Sequence, residues 1–146
     1  MKIVLKTITE NNYDECINLT VREDQPFVAS NLYSIEQAKA ERCWITRAVY
    51  AGIRMVGFVM YTLDNENNEL CLCRFMIDKR YQGQGYGTAA LKELKELALN
   101  MEGVEKITLS TNPENASGIR FYEKNGFVDT HTIDEGEEVF ILELGK

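Results

Sequence analysis

The chain has 146 residues, 45% of them hydrophobic and 27% charged, with two prolines and a formal charge of −7. That length suits one domain spanning 1–146 and able to bury about 70% of its unfolded surface, and the apolar content excludes a disordered polymer. The acidic balance speaks against nucleic-acid binding, which needs a cationic face, and suits cationic small molecules instead.

Ile3 to Ile8 alternates weakly and reads as a first strand. Asn12 opens a helical stretch with Tyr13, Cys16, Ile17 and Thr20 spaced for one face. Arg22 to Tyr33 is irregular and broken by Pro26; Ser34, followed by Glu36 and Gln37, predicts a helix start with Ser34 as its cap. Two strands follow, Thr46–Ala51 and Met55–Tyr61, joined at Gly52, and the polar loop Asp64 to Glu69 leads to a third, Leu70–Ile77. These make an antiparallel meander.

The pattern then changes. A glycine-rich turn precedes a helix with Leu91, Leu94, Ala98 and Met101 on one face, ended by Gly103, and Lys106–Ser110 is a strand. A second helix, Ala116–Lys124, is stopped by Asn125-Gly126. The strands Phe127–Ile133 and Glu138–Leu144 form a hairpin around Glu135-Gly136. This order predicts an α/β (α+β) domain with helices on both sides of one sheet. No segment reaches 18 apolar residues, so no membrane span is expected. The start, MKIVLKTITENNYDE, lacks a signal-peptide pattern, and a soluble cytoplasmic domain is the expectation.

Cysteines stand at 16, 43, 71 and 73, and Cys71 and Cys73, two apart in a strand, face one side of the sheet. A zinc site wants four ligands, usually CxxC pairs or histidines, and the chain has one histidine. Buried reduced thiols and no metal are therefore expected. His131, in a polar stretch, is expected at the surface without a role.

The most informative stretch is Asp78 to Thr88, with Gly83, Gly85 and Gly87 alternating between a strand and an amphipathic helix. Alternating glycines let consecutive N–H groups converge, and the following helix adds free donors and its positive dipole end. That geometry binds phosphate oxygens. A P-loop would need lysine after the last glycine, where Thr88 and Ala89 stand, and GxGxxG would need glycine at 88. Both common nucleotide readings fail.

Gln82-Gly83-Gln84-Gly85-Tyr86-Gly87 resembles the Q/R-x-x-G-x-G/A signature of the GNAT N-acetyltransferase superfamily. Arg74 to Asp78 resembles the family's fourth strand, and Asn115 to Phe127 its second signature. The resemblance implies the GNAT fold: a twisted, mostly antiparallel mixed sheet with two central parallel strands that splay apart. It also implies acetyl-CoA as donor, with coenzyme A as product. By resemblance, backbone groups of Phe75, Met76 and Ile77 hold the pantetheine arm and thioester carbonyl. Gln82, Gly83, Gln84, Gly85, Tyr86, Gly87 and Thr88 take the pyrophosphate, Asn115 contacts the cofactor arm and Lys124 reaches the nucleotide phosphates. Tyr122 falls where many members place the acid that protonates the departing sulfur, and a phenol of pKa near 10 suits that task.

Amine acetylation also needs a neutral amine and a stabilised oxyanion. Glu23, Asp24, Glu36 and Glu41 belong to a segment that forms one acceptor wall in this family, and Glu135 lies in the acidic hairpin turn near another. Residues 1–80 carry ten basic and eleven acidic side chains, residues 81–146 six and twelve. A charge run in a turn usually serves as solvated surface. Facing the pocket, it would hold the distal ammonium groups of a polyamine. Within the family, the layout around the glycine turn and the C-terminal hairpin looks like the bacterial spermine/spermidine acetyltransferases. The leading reading is an N-acetyltransferase for a small cationic amine by direct attack in a ternary complex. The alternatives are a protein, peptide or aminoglycoside acetyltransferase and a non-catalytic acyl-CoA sensor. Family members are often dimers, and Val139 to Leu142 could pair across such an interface or lie within the monomer's sheet.

Overall fold

The computed structural model describes residues 2–146. Along the chain run β1 (Ile3–Lys6), α1 (Tyr13–Ile17), α2 (Asn31–Ala40), β2 (Ile45–Ala51), β3 (Arg54–Asp64), β4 (Glu69–Ile77), a 3-10 turn (Lys79–Tyr81) and α3 (Tyr86–Leu99). They are followed by β5 (Lys106–Thr111), α4 (Ala116–Lys124), β6 (Val128–Asp134) and β7 (Glu137–Glu143). The seven strands form one sheet in the order β1-β2-β3-β4-β5-β7-β6.

The sheet carries a core on each face. On one, Leu91, Leu94 and Ala98 of α3 meet Val56, Val59, Leu70, Ile107 and Phe140, with Ile119 and Phe121 of α4 alongside. On the other, Cys16, Leu19 and Ile35 meet Ala48, Phe58, Met60 and Met76. Helices on both faces of a mixed sheet are thus observed.

Two helix limits differ from expectation. Helix α2 starts one turn early: the Ser30 hydroxyl accepts the Tyr33 N–H at 3.1 Å, and Ser34, expected as the cap, is fully buried inside the helix. Asn31 anchors that first turn by donating its side-chain N–H to the Cys16 carbonyl at 2.8 Å. Helix α1 is shorter than its apolar spacing suggests and leaves out Thr20. The Thr20 amide instead donates to Asp78.

The cysteine expectation is corrected as well. All four are free, but only Cys16 is buried; Cys43 is exposed, and Cys71 and Cys73 are half-buried. Helices α1 and α2 lie over β2 and β3, leaving this part of β4 incompletely covered.

The feature that makes the site is in β4. It pairs parallel to β5 only from Glu69↔Lys106 to Leu72↔Leu109. Beyond that, β4 continues against β3 as far as Ile77, while β5 runs on against β7. The two parallel strands therefore diverge. At that point the β3 partners step from Tyr61↔Leu72 to Met60↔Arg74, leaving Cys73 as an extra residue. Such a bulge bends the strand and shifts its side-chain alternation. Leu72, Phe75 and Ile77 pack toward α3 and α4, whereas Cys73 and Met76 pack on the other face, where Arg74 donates to the Gln37 side chain of α2 at 3.2 Å. Without the extra residue, Phe75 and Ile77 would turn to the α1/α2 face.

Candidate active site

Where β4 and β5 separate there is a cavity of about 440 Å³. Its floor includes Phe75, Met76 and Ile77, its rim the glycine turn and the start of α3, and its far wall α4. Phe75 of the strand and Phe121 of the helix stack with ring centroids 6.0 Å apart, closing the base of the cleft.

The glycine turn is held from below. Asp78, 2% exposed, caps the 3-10 turn through its Oδ1, which accepts the Arg80 N–H at 2.9 Å and the Arg80 Nε at 2.8 Å. Gln82 donates its side-chain amide to the Ile77 carbonyl at 2.8 Å and to Gln25 Oε1 at 2.9 Å. Gly83 and Gly85 adopt left-handed φ of +76° and +85°, which L side chains enter only with strain. Gly85 is the N-cap of α3 and has no side chain to satisfy the helix's first N–H groups. Those amides and the positive helix end stay open to an anion. Gly87 is needed for a different reason: a Cβ there would meet Phe121 Cζ at 3.1 Å.

Of the residues singled out from sequence for the cofactor, Phe75, Met76, Ile77, Gln82, Gly83, Gly85, Tyr86, Gly87, Thr88, Asn115 and Lys124 all line this cavity. Gln84 does not; its side chain reaches the Arg80 carbonyl at 3.4 Å. The Asn115 carboxamide is engaged on both sides, accepting from the Gly118 N–H at 3.2 Å and donating to Thr111 Oγ1 at 3.0 Å. It caps α4 as well as lining the cleft. Among the described residues, the lining holds one full charge, Lys124, and no carboxylate. An open amide cradle, a lysine and an apolar floor fit a ligand with a diphosphate and a flexible arm.

Tyr122 also lines the cavity, its ring edge-on to Phe121 at 5.4 Å and to Phe127 at 5.7 Å. Burial pushes its hydroxyl up to about 12, because a phenolate in this apolar wall would lose its hydration. The group keeps its proton throughout the physiological range.

None of the acidic candidates lines the cavity. Glu23 and Asp24 stand on its rim segment, between the lining residues Val21 and Gln25, with Asp24 paired to Arg22 at 3.3 Å. Glu36 pairs with Lys39 at 3.4 Å, and Glu41 accepts from Trp44 Nε1 at 3.1 Å. Lys39 and Trp44 line a second, separate groove between α1, α2 and β2, so these two acids belong to its border. Glu135 is exposed in the hairpin turn.

The resemblance placed a wall in this segment through its acids, but sequence reasoning did not single out the residues that build it, Val21, Gln25, Phe27 and Val28, nor the contribution of Tyr81 and Phe121. The signal available was an irregular, proline-broken stretch carrying apolar residues. Nothing local says that such a stretch folds over a cleft formed by β4 and β5, far along the chain.

A family model described as acetyltransferase (GNAT) family matches residues 8–127. The chain is 34% identical to the spermine/spermidine N(1)-acetyltransferase of Bacillus subtilis (strain 168), over 99% of this chain and 100% of that protein. Among solved structures, the fold is similar to spermidine N-acetyltransferase from Vibrio cholerae in complex with CoA and spermine. That likeness has a TM-score of 0.76 at 16% identity and covers 99% of this chain and 96% of the other. It is also similar to an aminoglycoside acetyltransferase in complex with coenzyme A, with a TM-score of 0.80 at 18% identity over 97% and 95% of the two chains.

Proposed function

From the premise that this chain belongs to the acetyltransferase (GNAT) family, we propose that it moves an acetyl group from acetyl-CoA to a primary amine of a polyamine, directly, in a ternary complex. The observation that carries the acceptor class is the end-to-end similarity to the Bacillus spermine/spermidine enzyme. Acetyl-CoA, when bound, supplies an activated thioester carbonyl.

The chain's own residues do the rest. The amides from Gly83 to Thr88 and the N-terminus of α3 bind diphosphate oxygens, and Lys124 adds the balancing charge. The edge of β4 beyond Leu72, unpaired by β5, offers backbone N–H and C=O groups to an extended arm, as a further strand would. Phe75, Phe121 and Tyr122 exclude water from the reacting end. Tyr122 holds a proton on Oη for the departing sulfur. The same desolvation that raises this phenol also raises a thiol at the site, so donor and acceptor remain matched. Cys71 and Cys73 lie outside the cavity lining, which supports direct transfer over a covalent acetyl-enzyme.

For the acceptor, Glu23 and Asp24 are the acidic candidates on a segment that walls the cavity, and they are assigned the distal ammonium of the polyamine. The test is thiol release from acetyl-CoA with spermidine, spermine, simple diamines, an aminoglycoside and short peptides. Release with polyamines alone is expected. Release with the aminoglycoside or peptides alone would overturn the acceptor assignment, and no release at all would overturn the reaction.

A further inference from the structure

The four cysteines have different surroundings. Cys16 is fully buried and its thiol is pushed up to about 12 by desolvation, which makes it inert. Cys43 is exposed. Cys71 and Cys73 stand on the α1/α2 face of β4 with their sulfurs 4.0 Å apart, both half-buried and free. The Cys73 thiol points back at its partner, its Sγ 3.3 Å from the Cys71 carbonyl oxygen.

The strand's irregularity makes this approach useful. Cys73 is the bulge residue, and a bulge kinks the strand more sharply than a regular pleat. Bridging needs Cα atoms within about 7 Å, a limit that a kinked i, i+2 pair can meet. A link between residues this close in sequence departs from the usual bridge geometry, and disulfides that do so are the more readily reduced ones.

We propose that Cys71 and Cys73 are a dithiol modification site that two-electron oxidants of the peroxide class close into an intrastrand disulfide, and that closure weakens coenzyme A binding in the adjacent cleft. The second part rests on the acetyltransferase reading. The Cys71 thiolate attacks a peroxide oxygen and becomes a sulfenic acid, and the hydroxide released leaves as water. The Cys73 sulfur then attacks the sulfenic sulfur, its proton leaving with the second oxygen as another water. Two thiols and one peroxide give one disulfide and two waters; the sulfurs together lose two electrons and the peroxide gains them.

The electrostatics favour this order of attack. The Cys73 thiol beside it outweighs burial and, helped by Thr108, holds Cys71 below the usual thiol range, while Cys73 is pushed upward as the donor of that contact. Cys71 is then the nucleophile and Cys73 the resolving thiol. Closure would act on the cleft because Leu72, between them, makes the last parallel pairing with Leu109, and Phe75 lies just beyond.

The test treats the intact protein with hydrogen peroxide, alkylates free thiols and weighs the peptide containing both cysteines. Loss of two hydrogens without alkyl groups, reversed by dithiothreitol, is expected, with a rise in the coenzyme A dissociation constant of about tenfold, equal to about 1.36 kcal/mol. Cys71→Ser should keep basal activity and lose both responses, while Cys43→Ser responds as the parent does. Should Cys71→Ser fail to fold, phenylarsine oxide on the parent protein replaces it. Uptake of one arsenic per chain, with protection of both thiols from alkylation, is expected. Full alkylation of both residues after peroxide, oxidation of Cys71 with Cys73 still free, or no arsenical uptake would each overturn the site. A disulfide that forms with unchanged coenzyme A affinity would overturn the coupling. Failure of the acetyltransferase reading would show separately, as absence of acetyl transfer with the thiol chemistry intact.

Discussion

The carboxylate of Asp78 accepts the backbone N–H of Thr20 at 3.0 Å, and the next amide, that of Lys79, donates to the Thr20 carbonyl at 2.7 Å. Two residues 58 positions apart are thus joined at the point where β4 becomes the glycine turn and the α1 segment becomes the cavity wall.

Removing that carboxylate strands two amides and the Arg80 guanidinium. Burial alone would raise the Asp78 pKa, but the bonds from Arg80 and Thr20 prevail and hold it below the usual range. A depressed carboxylate contributes stability above its unfolded pKa and loses it as pH falls through the folded value. Asp78→Ala should therefore cost about 2–4 kcal/mol at pH 7. In urea titrations the difference from the parent should shrink once the pH drops below about 4.

Gly87→Ala would drive a methyl against the Phe121 ring, at 3.1 Å from Cζ and 3.2 Å from Cε1. Phe121 is stacked on Phe75 and cannot retreat without moving the cavity base. A loss of about 1–2 kcal/mol in stability and a clear rise in the KM for acetyl-CoA are expected, by thermal denaturation and steady-state kinetics.

Tyr122→Phe keeps the ring against Phe127 and removes only the hydroxyl, the proposed proton donor. Turnover should fall about 100-fold while coenzyme A affinity, by calorimetry, is unchanged. With the hydroxyl raised to about 12, the protonated form persists to high pH. The pH profile of the parent enzyme should rise as the acceptor amine deprotonates and show no decline below about pH 11 from this group.

Asn115→Ala separates a cap from a ligand contact. Its carboxamide bonds to Gly118 and Thr111 account for the first turn of α4. The variant should lose about 1–2 kcal/mol in denaturant, with a smaller effect on coenzyme A affinity once measured well below its melting temperature.

Much of this architecture was legible locally. The end of α4 follows from Asn125-Gly126, and the observed helix is Ala116–Lys124. The hairpin at Glu135-Gly136 was readable because such turns demand positive φ, here +49° and +84°. The start of α2 was not: Ser30 and Ser34 are equally good caps by composition, and the choice followed from Asn31 docking on the Cys16 carbonyl. Of the candidate site, the glycine turn and Tyr122 could be named in advance because their signatures are contiguous.

What the sequence determined alone was the succession of elements and the glycine turn at the start of α3, since propensity, capping and left-handed glycines act within a few residues of chain. Only the tertiary structure decided which side chains would meet at the cleft. The bulge at Cys73 exists relative to the register of β3, the Val21–Val28 wall relative to Asp78 and Gln82, and the cavity relative to where β5 leaves β4. Those are pairings between distant segments, settled by burial and hydrogen-bond satisfaction across the whole fold.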